Sequence, residues 1–382
     1  MSEFPRGWST RVIEEICDIH DYRRIPLSSE ERRERKGPYP YYGANNIQDR
    51  IDDFIFDFDA VLIAEDGGYY DEHEYRDIAQ YATGKYWVNN HAHILTGKPG
   101  LDTRFLYYAL VRKNICPWIN TGTRSKLNQS DLKQIELLVP PLPEQKKIAE
   151  ILSGIDERIV ASQNQEKYYS LLLESTLRDS FSHEADETKT LGEIAEFKSG
   201  RAFKSEELSE DGIKVTRISN LHKPNFPYWR YKGEYNPRIV ARDGDILFSW
   251  AGVANSINVH RYKGENTLLN QHIYNFEFCD QLLKEWTYWN LKTMLPKLRA
   301  SIEGGAGQLH LTKGFIQSLP IPVIERSRME SLCNCFQSID HLVEIQKIAS
   351  TKAKALKTAL SSDLLSGRKR VSNARVLDGV GV

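Results

Sequence analysis

The sequence has few of the features that mark secreted, membrane-spanning or disulfide-bonded proteins. Its apolar runs, such as Ala60–Ala64, fall far short of the roughly 20 residues that cross a bilayer, and Met1–Arg6 has no apolar stretch of the signal-peptide kind. The 5 cysteines among 382 residues are scattered and form no Cys-x-x-Cys pair, which argues against a disulfide framework and a structural zinc site. We therefore expect a cytoplasmic protein with reduced thiols and no contact with a membrane.

An excess of positive charge is also absent. The chain has 51 Lys and Arg residues against 52 Asp and Glu residues, a formal charge of −1. A protein that holds nucleic acid by its overall charge is basic, so any DNA binding here must use local patches or a partner that adds affinity. The length and the hydrophobic content of 40% predict two or three ordinary globular domains.

Sequence motifs of catalytic sites are missing as well. Gly304–Gly307 does not follow the G-x-G-x-x-G pattern, and Thr96–Gly100 lacks the upstream glycine and the Ser or Thr of a phosphate-binding loop. His91 and His93 have no Cys or acidic neighbour at a spacing suited to a metal, so we interpret them as hydrogen-bonded structural histidines. We therefore predict no catalytic residue and no metal or cofactor bound by this chain.

The chain does contain an internal duplication with a period of roughly 180 residues, longer than that of solenoid repeats. The opening at 13–19 matches 191–197, and the apolar run at 60–64 matches 245–249, with a glycine soon after each. Residues 88–91 match 269–272, the aromatic segments at 105–108 and 286–289 correspond and are predicted to form a short helix, and 127–140 matches 309–322. Each half is predicted to be an α/β (α+β) domain that closes with a strand stopped by proline.

A long helix is predicted after each half, because residues 143–181 and 325–366 contain no turn signals apart from Gly154. Ile148, Leu152, Ile155 and Ile159 follow a heptad spacing, which requires a partner helix. The order of globule, helix, globule and helix lets the two helices pair as an antiparallel coiled coil with pseudo-twofold symmetry. The predicted regions are two globular domains at 1–142 and 186–323, two helices at 143–185 and 324–370, and a tail at 371–382.

The chain resembles the specificity (S) subunits of type I restriction-modification systems over nearly its full length. The resemblance rests on Pro141–Leu152 with Ile155 and Asp156, on the duplication, and on the terminal segment 363–371. It implies two target recognition domains, each reading one half of an asymmetric bipartite site in double-stranded DNA, while the helices set the spacer. It also implies that the chain is not itself catalytic and that it joins two modification (methyltransferase) subunits and restriction (motor-nuclease) subunits. Those partners would carry S-adenosylmethionine, ATP and Mg. The alternative left open is a coiled-coil scaffold that does not read DNA.

The predicted DNA-binding residues are polar or aromatic side chains in loops. They are Tyr41, Tyr42, Asn45, Asn46, Thr121, Thr123, Arg124, Ser125, Lys126 and Asn128 in the first half, and Arg201, Lys204, Arg217, Asn220, Gln308, His310 and Lys313 in the second. Arg on guanine and Asn or Gln on adenine discriminate bases, although Arg124 and Lys126 fit phosphate contacts equally well. The matching segments at 89–91 and 270–272 favour a structural role, because the two domains should read different sequences.

The residues predicted to dock partner subunits lie on the two helices. They are Glu144, Gln145, Ile148, Leu152 and Ile155 on the first helix and Ile339 and Val343 on the second.

Overall fold

The computed structural model describes residues 5–121, 125–181, 185–223, 225–303 and 310–371. The chain divides into two compact units. Unit 1 comprises residues 1–162 and 348–382, and unit 2 comprises residues 163–347. Each unit therefore holds one globule together with part of each long helix. No helix in the described part of the chain combines the length and apolar character that a membrane span requires.

The first globule contains twelve strands and four short helices among its described residues, followed by a long helix. The strands are β1 (Ser9–Val12), β2 (Cys17–Ile19), β3 (Lys36–Tyr42), β4 (Ile47–Ile51), β5 (Phe56–Asp57), β6 (Ala60–Ala64), β7 (Ala79–Ala82), β8 (Lys85–Val88), β9 (Ala92–Gly97), β10 (Asn120–Thr121), β11 (Ser125–Lys126) and β12 (Glu136–Val139). The helices are α1 (Ile13–Ile16), α2 (Ser29–Glu34), α3 (Thr103–Leu110), α4 (Gln129–Lys133) and the long α5 (Leu142–Ser180), with 3-10 turns at Asp21–Arg23, Tyr70–Glu72 and Cys116–Trp118.

The second globule continues the same numbering. Its strands are β13 (Glu187–Thr190), β14 (Ala195–Ser199), β15 (Leu208–Ser209), β16 (Ile213–Thr216), β17 (Trp229–Tyr231), β18 (Val240–Ala241), β19 (Ile246–Ser249), β20 (Asn258–Arg261), β21 (Thr267–Leu269), β22 (Ile273–Phe278) and β23 (Pro320–Val323). Its helices are α6 (Leu191–Ile194), α7 (Ile218–His222), α8 (Gln281–Glu303), α9 (Lys313–Gln317) and the long α10 (Arg326–Leu365), with 3-10 turns at Ser205–Glu207, Pro237–Ile239 and Ala254–Ser256.

The same sheet plan occurs in both units, which confirms the duplication. Unit 1 has an antiparallel sheet ordered β2-β9-β6-β7, and unit 2 has the matching order β14-β22-β19-β20. A second sheet is built around one parallel pair, β3 with β8 in unit 1 and β16 with β21 in unit 2. A two-stranded sheet joins the first and last strands of each globule, β1 with β12 and β13 with β23. The predicted fold class, two α/β domains with two long helices, is confirmed.

The central strands β6 and β19 explain why their sequences are continuous apolar runs. In β6, Val61 and Ile63 pack into the core that includes Phe105 of α3, whereas Leu62 packs into a second cluster with Phe56 on the other side. A strand covered on both faces needs apolar residues at every position rather than at alternate positions. In β19, Phe248 and Leu247 divide in the same way between two clusters.

Two local predictions need correction. The aromatic segment of the second half lies not on a short helix but on the 23-residue α8, where Trp286 and Trp289 are fully buried. The closing strand β23 contains Pro320 and Pro322 instead of being stopped by proline. Its register places Pro320 opposite Thr190, as Glu136 lies opposite Val12, so the matching segments are offset by two residues from the sequence alignment. Proline is tolerated because this two-stranded sheet consists of edge strands.

The long helices α5 and α10 form where they are predicted. Within unit 1 they run antiparallel, because Asp156 of α5 forms an ion pair of 2.6 Å with Lys357 while Glu144 pairs with Arg370, just beyond the end of α10. Ile148 and Leu152 share a core with Leu364. Within unit 2, Leu177 and Phe336 share a core, and the ring of Phe181 lies 6.1 Å from that of Phe336. The exact domain boundaries proposed above remain predictions.

Candidate nucleic-acid interface

In each unit several strands end at one edge of the globule, and we call this edge the strand-end surface. In unit 1, β2 and β6 both run antiparallel to β9, so their carboxyl ends meet the amino end of β9. The loop after β6 is joined by the side chain of Asn45, which donates to the Gly67 carbonyl at 2.9 Å, and by a β-bridge between Asp66 and Lys126. Gly67 adopts a φ of 65°, which favours glycine in this turn.

The strand-end surface of unit 1 contains a network of charged side chains. His93 Nδ1 lies 2.5 Å from Asp21 Oδ2, and its Nε2 lies 2.8 Å from the Leu127 carbonyl oxygen. Both ring nitrogens thus lie within hydrogen-bond distance of an oxygen atom. Glu65 accepts a hydrogen bond of 2.8 Å from Arg24 and forms an ion pair of 3.1 Å with Lys126.

The pKa shifts of the two carboxyl groups follow from this network. Burial alone would raise the pKa of Asp21, but hydrogen bonds from His93 and Gln129 and the charge of Arg24 lower it below its usual value. Burial is likewise outweighed at Glu65, whose pKa is lowered by hydrogen bonds from Arg24 and Lys126. Both groups are therefore carboxylates at neutral pH.

The sequence places no acidic residue near His93 at a spacing suited to a metal, but the fold brings two carboxylates to it. The fold brings ligand atoms of Asp21, Glu65 and His93 within 4.8 Å of one another, although these residues are far apart in the sequence. The guanidinium of Arg24 and the ammonium of Lys126 already supply positive charge to these carboxylates. The interpretation of His91 and His93 as hydrogen-bonded histidines is confirmed, since His91 Nδ1 lies 2.9 Å from Asp66 Oδ1.

The strand-end surface of unit 2 contains aromatic rings where unit 1 has charges. The register of the strands makes Tyr274 the counterpart of His93, because it pairs with Phe248 as His93 pairs with Ile63. Trp250 takes the position of Glu65, one residue beyond the end of the central strand. Its ring stacks on Tyr274 at 5.6 Å and lies 5.2 Å from His272. His310, which forms a β-bridge with Ala251 as Lys126 does with Asp66, has its ring 6.0 Å from Trp250.

The structure places several of the predicted DNA-binding residues at these edges. In unit 1 they are Tyr42, Asn45 and Lys126, and in unit 2 they are Arg201, Arg217 and His310. Arg201 donates its backbone N–H to Leu269 at the end of β21, and Arg217 directly follows β16, the parallel neighbour of β21.

The two arginines of unit 2 are held by aromatic rings. The guanidinium of Arg201 lies 4.3 Å from the ring centre of Phe203 and donates to Glu207 at 2.9 Å. The guanidinium of Arg217 lies 4.2 Å from the ring centre of Trp229, and burial lowers its pKa. Stacking fixes the plane of a guanidinium, which suits it for flat contacts with bases or phosphates.

Other predicted DNA-binding residues lie elsewhere or have internal roles. Tyr41 is only 1% exposed and its hydroxyl accepts from the Leu27 N–H, and Asn220 is 2% exposed and caps α7 through the Arg217 N–H. Both therefore support the fold, and the prediction that they contact bases is corrected. Lys313 is exposed and borders a groove alongside the edge strand β14.

The remaining predicted DNA-binding residues are mostly exposed, lie in other elements, or fall outside the residues that the structure describes. Asn46, Ser125 and Lys204 are exposed, whereas Asn128 is half-buried and donates to Asp131 at 2.9 Å. Thr121 forms part of β10. Thr123, Arg124 and Gln308 lie outside the described residues.

The residues predicted to dock partner subunits are mostly internal, which corrects that prediction. Gln145 is 1% exposed, accepts from the Asp102 N–H at 2.8 Å and donates to the carbonyls of Gly100 and Pro140. Both carboxylate oxygens of Glu144 accept from Arg370, and one also accepts from Trp8. Ile148, Leu152, Ile339 and Val343 are buried and Ile155 is half-buried. These side chains hold each unit together rather than present a surface.

Sequence reasoning missed Glu65, Asp21 and Trp250 as members of the strand-end surfaces. Each follows or adjoins a strand whose apolar pattern was recognised, and the alignment of the two halves already placed Glu65 opposite Trp250. A comparison of the residues directly after matched strands would have identified this pair.

Comparison with known proteins agrees with the duplicated architecture. The model of the type I restriction modification DNA specificity domain matches residues 5–168 and again residues 184–324. The chain is 30% identical over 303 residues to a putative type I restriction enzyme specificity subunit of Haemophilus influenzae, covering 70% of this chain and 75% of that protein. It is 22% identical over 415 residues to the MjaVIII specificity subunit of Methanocaldococcus jannaschii, covering 97% and 94%.

A solved structure supports the fold. The S subunit of a type I restriction-modification system from M. genitalium superposes with a TM-score of 0.72 at 18% identity, covering 96% of this chain and 97% of that chain. The repeated family match, which spans more than half of the sequence, shows the family directly. The chain belongs to the specificity subunits of type I restriction-modification systems and carries two DNA specificity domains.

Proposed function

We propose that the strand-end surface of each unit reads one half of an asymmetric, bipartite DNA site. The observation that carries this proposal is the contrast between the two edges. The same strands end at the same place, but one edge holds charged groups around Glu65 and the other holds aromatic rings around Trp250. A shared backbone with different side chains is the arrangement that two readers of different sequences need, since base edges are distinguished by side-chain chemistry.

Polar residues at and near these edges, one exposed and the others half-buried, supply the proposed DNA contacts. Lys126 and Asn45 serve unit 1, and the stacked Arg201 and Arg217 serve unit 2. Arg201 and Arg217 are proposed to contact guanine or phosphate, and each good base contact discriminates by about 1–3 kcal/mol. Because the whole chain has a charge of −1, these local contacts need additional affinity from partner subunits.

We propose that the chain is not itself catalytic and acts with modification and restriction subunits. S-adenosylmethionine would be held by two modification subunits, and ATP and Mg by the restriction subunits. The long helices would set the number of unread base pairs between the half-sites. As the DNA substrate of such a complex is chromosomal or invading DNA, we place its action in the cytoplasm.

Exposed apolar residues of the helices are the proposed docking surface for the modification subunits, in place of the buried residues predicted earlier. In unit 2, Tyr168 and Leu171 of α5 are 62% and 56% exposed, and Ile345 of α10 is 42% exposed. In unit 1, Val160 of α5 and Ile348 of α10 are 54% and 46% exposed. Each unit thus offers a helix surface on which an apolar partner would bury side chains that now face solvent.

Methylome sequencing tests the proposal. DNA from cells that express this chain with the methyltransferase encoded beside it would be compared with DNA from cells that lack only this chain. We expect a bipartite, asymmetric adenine-methylation motif that disappears without the chain. If methylation is unchanged although the two proteins are folded and associated, the reading function is wrong, and the scaffold alternative takes its place.

A further inference from the structure

Three unpaired polar atoms cluster at the strand-end surface of unit 2. They are Trp250 Nε1, Gln271 Oε1 and His272 Nδ1, each buried and without a hydrogen-bond partner among the described residues. The three side chains adjoin one another: the ring of Trp250 lies 5.2 Å from that of His272, and Gln271 Nε2 lies 3.2 Å from His272 Nε2. Because buried polar groups in native proteins are nearly always hydrogen-bonded, three in one place indicate a site that a ligand completes.

Unit 1 has the same backbone at this position but leaves fewer groups unpaired. His91, the counterpart of His272, lies 2.9 Å from the carboxylate of Asp66, and Asn89 Oδ1 accepts from the His91 N–H. In unit 2 the position of Asp66 is occupied by Ala251, so the carboxylate is missing. Trp250 likewise replaces Glu65, whose carboxylate is fully used by Arg24 and Lys126.

The cluster is reachable from solvent. Trp250, Gln271 and His272 are each partly exposed, and Val253, in the loop that follows Trp250, is 67% exposed. A rotation of these side chains, which is common when an interface forms, would turn the unpaired atoms outward.

We propose that Trp250, Gln271 and His272 form a base-reading centre of the second domain and contact an adenine of its half-site. This proposal rests on the proposed DNA-reading function. The cluster offers one obligate donor, the indole N–H, and one free amide acceptor. In the major groove adenine presents the complementary pair, an N7 acceptor and an N6 amino donor, whereas guanine presents only acceptors. The structural role expected for residues 270–272 thus holds for the buried Asn270 but not for its two neighbours.

The test uses the complete complex of this chain with its modification subunit, after the methylation motif of the wild type is known. Methylation rates would be measured on duplexes that carry each single base-pair change in the second half-site. We expect Gln271→Leu to reduce discrimination at one A·T pair by about tenfold or more, with recognition of the first half-site unchanged. Gln271→Glu, which keeps an acceptor, should retain discrimination better than Gln271→Leu.

A second variant supplies the missing partner from within the chain. Ala251→Asp places a carboxylate where Asp66 stands in unit 1, so His272 gains an internal partner, and we expect discrimination at the same base pair to fall. Lys263→Ala is the control, because Lys263 is exposed and follows β20 at the opposite edge of the sheet.

The outcomes separate this inference from the proposed function. If the wild type shows no bipartite methylation, the proposed function itself fails. If the wild type is specific but the folded Gln271→Leu complex keeps full discrimination at every position of the second half-site, the base-reading centre is overturned. If Ala251→Asp does not fold, as judged by circular dichroism, the Gln271 variants alone decide.

Discussion

The two strand-end surfaces show how one backbone plan can be stabilised in two different ways. In unit 1, the carboxylates of Asp21 and Glu65 lie in a partly dry environment, where each depends on its partners, His93 for Asp21 and Arg24 for Glu65. In unit 2, Tyr274 and Trp250 stack at the corresponding positions and need no countercharge. Loss of one partner therefore leaves a buried charge unpaired in unit 1 but strands no charge in unit 2.

The units also differ in how the start of the long helix is fixed. At the start of α5, Glu144 binds Arg370 and Trp8, so the carboxylate ties three segments of unit 1 together. The strand register makes Arg328 the counterpart of Glu144 in unit 2, and its side chain forms no ion pair within the described ranges. Unit 1 therefore has buried carboxylates at both places, whereas unit 2 has stacked rings at the first place and a more exposed ion pair, Arg326 with Asp280, at the start of α10.

The largest expected effect is the loss of Asp21. Asp21→Ala leaves the buried ring of His93 without its carboxylate, and removal of one partner of a buried pair costs about 3–5 kcal/mol. Ser199→Ala, at the matching and exposed position of unit 2, should change the free energy of unfolding by less than about 0.5 kcal/mol. Hydrogen exchange of the amides in β9 and β22 would measure each unit separately. Equal protection losses in the two variants would contradict the contrast.

Removal of the Glu144 carboxylate is the next largest change. Glu144→Ala should destabilise unit 1 by about 1–2 kcal/mol, because Trp8 and Arg370 lose a common acceptor while Arg370 keeps partial hydration. Arg328→Ala is the matched control in unit 2 and should have almost no effect. Urea unfolding followed by tryptophan fluorescence would compare them. If the Arg328 variant were as unstable as the Glu144 variant, the bonds of Glu144 to Trp8 and Arg370 would not distinguish unit 1 from unit 2.

Lowering the pH should reduce the stability of unit 2 through His260 of β20. Burial, with added repulsion from His222, Lys292 and Arg299, lowers the pKa of His260 from 6.5 to about 3. Its neutral form is favoured by folding, so its contribution is complete above pH 6.5 and decreases as the pH falls from 6.5 towards 3. The slope is at most about 1.4 kcal/mol per pH unit. Replacement by Gln should flatten the pH dependence of hydrogen exchange in β19 and β20 over this range, and an unchanged slope would contradict the assignment.

Much of the fold could be predicted because it depends on residue patterns between neighbours in the sequence. The apolar runs at β6 and β19, the long helices and the duplication all follow from spacing along the sequence. The site could be predicted only in part. Asp21, Glu65 and His93 are distant in sequence and meet only through strand pairing, and the burial of Gln145 depends on contacts with Gly100 and Asp102.

The smallest predicted effect is a difference in stability between the N-terminal caps of two matching helices, α4 in unit 1 and α9 in unit 2. At α9, the hydroxyl of Thr312 accepts from the Phe315 N–H, so Thr312→Ala should cost about 1 kcal/mol. At α4, Asn128 occupies the same place but its side chain makes no capping bond and instead donates to Asp131. Asn128→Ala should therefore cost only a few tenths of a kcal/mol. Thermal unfolding measures both losses.

Because the Asn128 side chain makes no capping bond, its variant should weaken recognition of the first half-site more than it weakens the fold. If methylation specificity survives intact, Asn128 is excluded as a base reader.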